Sequence, residues 1–143
     1  IYYMSKFSYQ DGKAMISSPI VCRWAEVILN RAEAYAHLGQ DAKAYEDVNA
    51  IRTRAGIPAE GMFAAGNLHG YTSALDVVLD ERRLELAFEG FRTHDLTRNK
   101  LNIDRQYPGA QPWEIVPYNH DHLIYPIPNN EWTVSGIQQN PGY

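Results

Sequence analysis

The chain has 143 residues, 45% of them hydrophobic and 21% charged, with a net charge of −4. That balance describes one globular domain with a modest core and excludes a disordered chain. The acidic surplus argues against binding a phosphate backbone, which needs a basic surface. The lone cysteine, Cys22, excludes a disulfide framework and a Cys-based metal site, and it reads as a small core residue on a helix. No run of about 18 apolar residues is present to span a bilayer. No signal peptide opens the chain, which starts at Ile1. We expect residues 1–143 to be the C-terminal region of a larger parent.

In chain order, residues 1–9 alternate loosely with aromatic and β-branched side chains, and a short strand is expected there, closed by the turn pair Asp11-Gly12. Ser18-Pro19 supplies a cap and a first-turn proline for a helix over 20–38. Its inner stripe is expected to be Val21, Trp24, Ile28, Ala32 and Tyr35, with Glu26, Asn30, Glu33 and His37 in water, and Gly39 stops it. Asp41 is expected to cap a second helix over 42–55, with Ala44, Tyr45, Val48, Ile51 and Ala55 inside, Lys43 and Asp47 as a surface pair, and Gly56 and Pro58 at its end. The short connection makes the two helices antiparallel, and small residues at 32, 36 and 44 let them approach closely. This is the pattern of a tetratricopeptide-like pair, a unit that needs neighbours to bury its faces. An isolated copy of such a chain is expected to self-associate.

Residues 59–72 are Gly-rich and lack periodicity. A third long helix is expected over 73–89, with Ser73 near its cap and Gly90 at its end, then a short helix over 93–98. From Lys100 onward prolines break any helix repeatedly. The abundance of Tyr, Trp and Asn there predicts a long irregular but ordered segment. The expected fold class is therefore mainly α.

The densest chemistry lies at 81–98. At about 100° per residue, Glu81, Glu85, Glu89 and Arg92 share one side of a helix, with Arg82 close by. Leu75, Val78, Leu79 and Leu86 flank this stripe on one edge and Val77, Leu84 and Phe88 on the other, so the carboxylates point inward. Asp76, Asp80, Arg83 and Ala87 take the water side. Buried carboxylates stay ionised only when paired. A glycosidase reading makes Glu85 and Glu89 an acid/base pair. Against it, Arg82, Arg92 and Arg98 would depress carboxylate pKa values, whereas a general acid needs the opposite shift. The preferred reading is an ionic clamp of Glu81, Arg82, Glu85, Glu89, Arg92, Asp95 and Arg98, joining the third helix to the chain beyond Gly90 and to the first helix. His120 and His122 would project to one side of an extended segment, but no third metal ligand is identifiable, so no metal or cofactor is expected. Tyr107, Trp113 and Tyr118 on the irregular segment are candidates for stacking on a ligand face, weighed against simple packing onto the helices, as are Tyr125 and Trp132.

Four ordered motifs resemble one family. They are Arg23-Trp24-Ala25-Glu26-Val27-Ile28-Leu29-Asn30-Arg31-Ala32-Glu33-Ala34-Tyr35; Val48-Asn49-Ala50-Ile51-Arg52-Thr53-Arg54-Ala55-Gly56; the run from Glu81 to Arg98; and Tyr125-Pro126-Ile127-Pro128 with Glu131 followed by Gln139-Asn140-Pro141-Gly142-Tyr143. Together they are similar to the C-terminal part of SusD/RagB outer-membrane nutrient-binding lipoproteins. Loops 59–72 and 102–120 carry no family motif. The resemblance implies a mostly helical, non-enzymatic protein. It would bind glycans or peptides at the cell surface and cap a SusC-like TonB-dependent transporter, held to the outer membrane by a lipid anchor outside this chain. It implies that the signature residues are structural and transfers no ligand residue. The alternative is a helical-repeat scaffold that binds a protein partner and no sugar.

Overall fold

The computed structural model describes residues 6, 10–13, 16–18 and 20–143. It divides into two compact units, residues 1–92 and 93–143. Apart from Lys6, the strand expected over 1–9 lies outside the described residues, as does Pro19. The Asp11-Gly12 turn is present, bridging Gln10 to Lys13.

The first unit is built on three mutually packed helices: α1 (Trp24–His37), α2 (Asp41–Arg54) and α3 (Ala74–Glu85). Their shared core holds Leu29, Ala32, Ala44, Val48, Val77 and Val78, each at most 1% exposed. Alanines at the α1–α2 contact keep that interface thin, so both helices also reach α3. Gly39, at φ +69°, makes the left-handed turn that ends α1 and allows the immediate reversal into α2. α3 opens as its sequence predicts, with Ser73 Oγ accepting the Asp76 amide at 3.1 Å.

Several expectations fail for identifiable reasons. α1 starts at Trp24, so Val21 (89% exposed) and Cys22 (exposed) precede the helix. The Ser18 cap therefore does not open α1. The inner stripe of α1 is rotated by about one residue, about 100°: Ala25, Leu29, Ala32 and Glu33 are buried, while Trp24 is exposed. The wet-face assignment of Glu33 is wrong, because Arg82 of α3 sits opposite it. In α2 the inner residues Ala44, Tyr45, Val48 and Ile51 are as expected, but Ala55 is exposed. Asp41 is the first helical residue rather than the cap. Asp47 is buried and pairs with Arg31 across the α1–α2 interface at 2.7 and 2.9 Å instead of with Lys43, which bonds Gln40. α3 stops at Glu85, not 89: Phe88 and Gly90 both take positive φ (+66° and +85°). Beyond that point helical spacing no longer sorts side chains, and Phe88 is exposed; Leu84, in the last turn, is exposed as well.

The connection over 59–72 is tied down by polar side chains. Asn49 of α2 bonds both backbone groups of Phe63, its Nδ2 donating to the carbonyl at 2.8 Å and its Oδ1 accepting the amide at 2.9 Å. Phe63 is thereby drawn into the core, edge-on to Tyr71, with the Arg52 guanidinium 4.6 Å from its ring centre.

The second unit contains α4, which begins at the unit boundary (Arg92–Arg98), an antiparallel pair β1 (Ile103–Asp104) and β2 (Ile115–Val116), a 3-10 turn at Asp121–Leu123, and α5 (Asn129–Ser135). Ile103 faces Val116 and Asp104 faces Ile115 in register. The C-terminal motif of the sequence acts on its own chain: Gln139 Oε1 and Nε2 bond the Ile127 amide and carbonyl at 2.8 and 2.9 Å, replacing a strand partner. Asn140 Nδ2 donates to the Tyr125 carbonyl at 2.8 Å, and the Tyr143 hydroxyl to that of Ile124 at 3.0 Å. A Pro-rich segment has few amides to offer a sheet, so side-chain amides satisfy its backbone.

Candidate functional site

The ionic residues of α3 meet partners that spacing along the chain does not reveal. Glu81, 7% exposed, accepts from Arg52 of α2 at 2.8 Å. Burial pushes the Glu81 carboxyl above its ordinary range, and the Arg52 hydrogen bond only partly offsets this. Glu85 is held between Arg23, which abuts its Oε1, and Arg54, at 2.6 Å from Oε2. Arg23 Nε reaches both Glu89 oxygens at 3.0 Å, and its Nη2 donates to the Glu85 carbonyl at 2.5 Å. Lys6 lies 2.5 Å from Glu89 and donates to the carbonyls of Glu85 and Ala87, both at 2.9 Å. Burial raises the Glu89 carboxyl, but Arg23 and Lys6 outweigh it and hold the group below its usual range. Three cations therefore converge on the C-terminal end of α3, where carbonyls that lack an intrahelical partner carry the negative end of the helix dipole.

Arg82, 3% exposed, donates to Asn30 Oδ1 at 2.5 Å and approaches Glu33 at 3.7 Å, both on α1. Arg92 donates to the Leu79 carbonyl at 3.2 Å. In the second unit Asp95 is 2% exposed and pairs with Arg98 at 2.5 Å. The structure thus joins α3 to α1 and α2 through Arg23, Arg52 and Arg54, with Lys6 from the N-terminal segment. None of these four was singled out in the sequence as a clamp partner. Arg82 also reaches Asn30 and Glu33 of α1, and Arg92 the Leu79 backbone carbonyl. The expectation that every carboxylate of the stripe is depressed also fails at Glu81, where desolvation wins. The missed partners carry one legible signal: Arg52 and Arg54 are the basic last turn of α2.

The three candidate stacking residues lie in the second unit. Tyr107 and Trp113 sit on the loop joining β1 to β2, 55% and 65% exposed, and Tyr118 follows β2 at 37%. The Tyr107 carbonyl accepts from Gln111 Nε2 at 2.5 Å, the Tyr118 amide donates to Asn102 Oδ1 at 3.2 Å, and the ladder continues outward through Arg105 N–H to the Glu114 carbonyl at 3.0 Å. None of the three rings lines the cavity of about 350 Å³ in this unit, which is bordered by β1, β2 and the 3-10 turn. His120 and His122 do line it. His120 caps a 3-10 turn and His122 lies within it, so the two are not on an extended strand; their ring centres are 5.2 Å apart. Among the described residues no group of three or more His, Cys, Asp or Glu is arranged to hold a metal ion, and no helix is long and apolar enough to cross a membrane.

A helix trio cross-tied by arginines, followed by a Pro-rich unit closed on its own C-terminal motif, defines a helical scaffold of a known kind: the chain belongs to the SusD family, whose model matches residues 1–143. It is 30% identical to SusD-like protein P2 of Formosa agariphila over 148 aligned positions, covering 99% of this chain and 29% of that protein. A putative sugar binding protein from Bacteroides vulgatus superposes with a TM-score of 0.72 at 32% identity, over 86% of this chain and 28% of that one. A SusD superfamily protein from the same organism gives 0.68 at 32% identity, over 92% and 29%. The chain thus spans less than a third of the length of these relatives.

Proposed function

We propose that this chain is the C-terminal region of a surface-exposed outer-membrane lipoprotein that binds glycan or peptide nutrients and delivers them to a SusC-like TonB-dependent transporter, with no catalytic step of its own. Family membership supports this reading, and the observation that carries its carbohydrate arm is likeness along 86% of the chain to a solved protein described as a putative sugar binder. The role assigned to Glu81, Arg82, Glu85, Glu89, Arg92, Asp95 and Arg98 is structural. In support, Glu85 and Glu89 each face two cations, and Arg23 and Lys6 hold the Glu89 carboxyl below its usual range, the opposite of what a general acid needs. The exposed rings of Tyr107 and Trp113, with Tyr118, are assigned to ligand contact by stacking on the C–H faces of a sugar.

The test is affinity electrophoresis of the full-length parent against a polysaccharide panel, comparing the native protein with Trp113→Ala. Retardation of the native protein, weakened in the variant, is the expected outcome. Retardation unchanged in Trp113→Ala removes that loop from the site. A protein that no glycan retards, yet that forms a stable complex with a barrel transporter, favours a peptide ligand or a scaffold role. Turnover of any polysaccharide would restore the glycosidase reading of Glu85 and Glu89.

A further inference from the structure

The cavity of about 350 Å³ in the second unit falls within the usual range of small-molecule clefts, about 300–1,000 Å³. Ile103, Val116 and Leu123 supply its apolar lining. Arg105 and Glu114 also border it, but they pair with each other at 2.9 Å, so these two groups present no unbalanced charge to a ligand. The two imidazoles are polarised in opposite senses. His120 Nδ1 accepts the His122 amide at 3.2 Å, which in a neutral ring puts the proton on Nε2. His122 Nε2 lies 3.1 Å from the Gly142 carbonyl, an acceptor, so that nitrogen donates and, in a neutral ring, Nδ1 is left as an acceptor. The pair therefore has one donor (His120 Nε2–H) and one acceptor (His122 Nδ1) beyond those bonds. The Tyr143 ring, 4.8 Å from that of His122, fixes the second imidazole from the C-terminal side.

We propose that this cavity is a binding site for a neutral saccharide unit, distinct from the stacking residues Tyr107, Trp113 and Tyr118. A pyranose matches its chemistry: C–H faces for Ile103, Val116 and Leu123, and hydroxyls that both donate and accept for the two imidazoles. A phosphate or uronate is disfavoured, because the only arginine in the lining is already neutralised by Glu114. A metal is disfavoured, because His122 uses one nitrogen on a backbone carbonyl and, among the described residues, no third ligand joins the pair. The proposal deepens the nutrient-binding reading and rests on its carbohydrate arm.

The experiment is NMR titration of the 15N-labelled full chain with methyl β-glucopyranoside, methyl α-mannopyranoside and, as charged control, methyl β-glucuronide. Imidazole 15N shifts of His120 and His122 and amide shifts of Ile103, Val116 and Leu123 are followed, with affinity electrophoresis of the parent run alongside. Saturable shifts with a neutral glycoside, weaker with the glucuronide, and lost in both Val116→Trp and Leu123→Trp, which fill the cavity, are the expected result. Two substitutions on different elements guard against one of them failing to fold. No shift at these residues with either neutral glycoside overturns the site; if the parent still binds glycans, the functional reading stands without it. Shifts that persist in both filled variants overturn it as well. Saturable cavity shifts in a chain whose parent retains no polysaccharide support the site and count against the polymer-binding reading.

Discussion

Arg23→Met is the substitution that bears most directly on the architecture. Arg23 is the residue before α1, with extended backbone and no side-chain cap, so the change leaves the helix start intact. What it removes is the guanidinium shared by Glu85 and Glu89, whose side chains are 12% and 3% exposed against 21% for Arg23 itself. Deleting one partner of a fully buried pair costs about 3–5 kcal/mol, because a charge is left buried and uncompensated. Here Arg54 remains on Glu85 and Lys6 on Glu89, so neither carboxylate is abandoned. The expected loss is therefore about 2–3 kcal/mol, nearer the value of charged hydrogen bonds. For a chain of this size that lowers Tm by about 4–12 °C. Urea unfolding followed by circular dichroism measures it, and a cycle with Glu89→Gln should give a coupling of about 1–3 kcal/mol. The pH dependence supplies a signed check. Arg23 and Lys6 hold Glu89 below its ordinary range in the folded state, so its contribution is present above the unfolded carboxylate pKa and fades as pH falls through the folded value. The deficit of Arg23→Met should accordingly be largest near neutrality and shrink in acid. A loss under about 0.5 kcal/mol, independent of pH, is the behaviour of a surface ion pair and would refute the argument.

Glu81 and Arg52 should respond asymmetrically. Burial raises the Glu81 carboxyl, so its ionised form opposes folding as pH rises past its unfolded value; Glu81→Gln is expected to change stability at neutral pH by no more than about 1 kcal/mol, whereas Arg52→Met strands the buried carboxylate and costs about 3–5 kcal/mol, both read by denaturant midpoint. Asn49→Ala removes both side-chain bonds to Phe63 and should cost about 1–3 kcal/mol, with faster amide exchange across residues 59–72. In Gly142→Ala a new Cβ would lie 2.8 Å from Asp121 Cβ at a backbone φ of +88°, so loss of the His122 contact to residue 142 is expected and would be seen in the His122 ring signals. Trp113→Ala, at an exposed position, should leave stability within about 0.5 kcal/mol, so any loss of glycan binding reports on contact rather than folding.

Local signals were enough for the first four helices, their order and much of the core, but not for α5, which forms within the segment expected to be irregular. Ala44, Tyr45, Val48 and Ile51 of α2, the Ser73 cap and the turn at Gly39 all follow from periodicity and backbone preference, which act within a few residues. The inward direction of Glu81 and Glu85 was equally legible, because a charged side chain flanked by apolar neighbours on one helix has no other place to go. Which cations meet them was not. Arg23 and Glu89 stand 66 positions apart, and only the packing of α1 and α2 against α3 brings them together. In the folded chain α1 is turned by about one residue from the expected face, with small Ala25 inside and the large ring of Trp24 exposed. At the cavity, the sequence shows two histidines two positions apart. Only the folded chain, by bringing the Gly142 carbonyl to one ring and the His122 amide to the other, sets which nitrogen of His122 meets an acceptor and which of His120 meets a donor. Propensity and hydrophobic period are properties of neighbouring residues and can be read along the chain; pairing across helices and the hydrogen-bond partners of a ring depend on distances that exist only after folding.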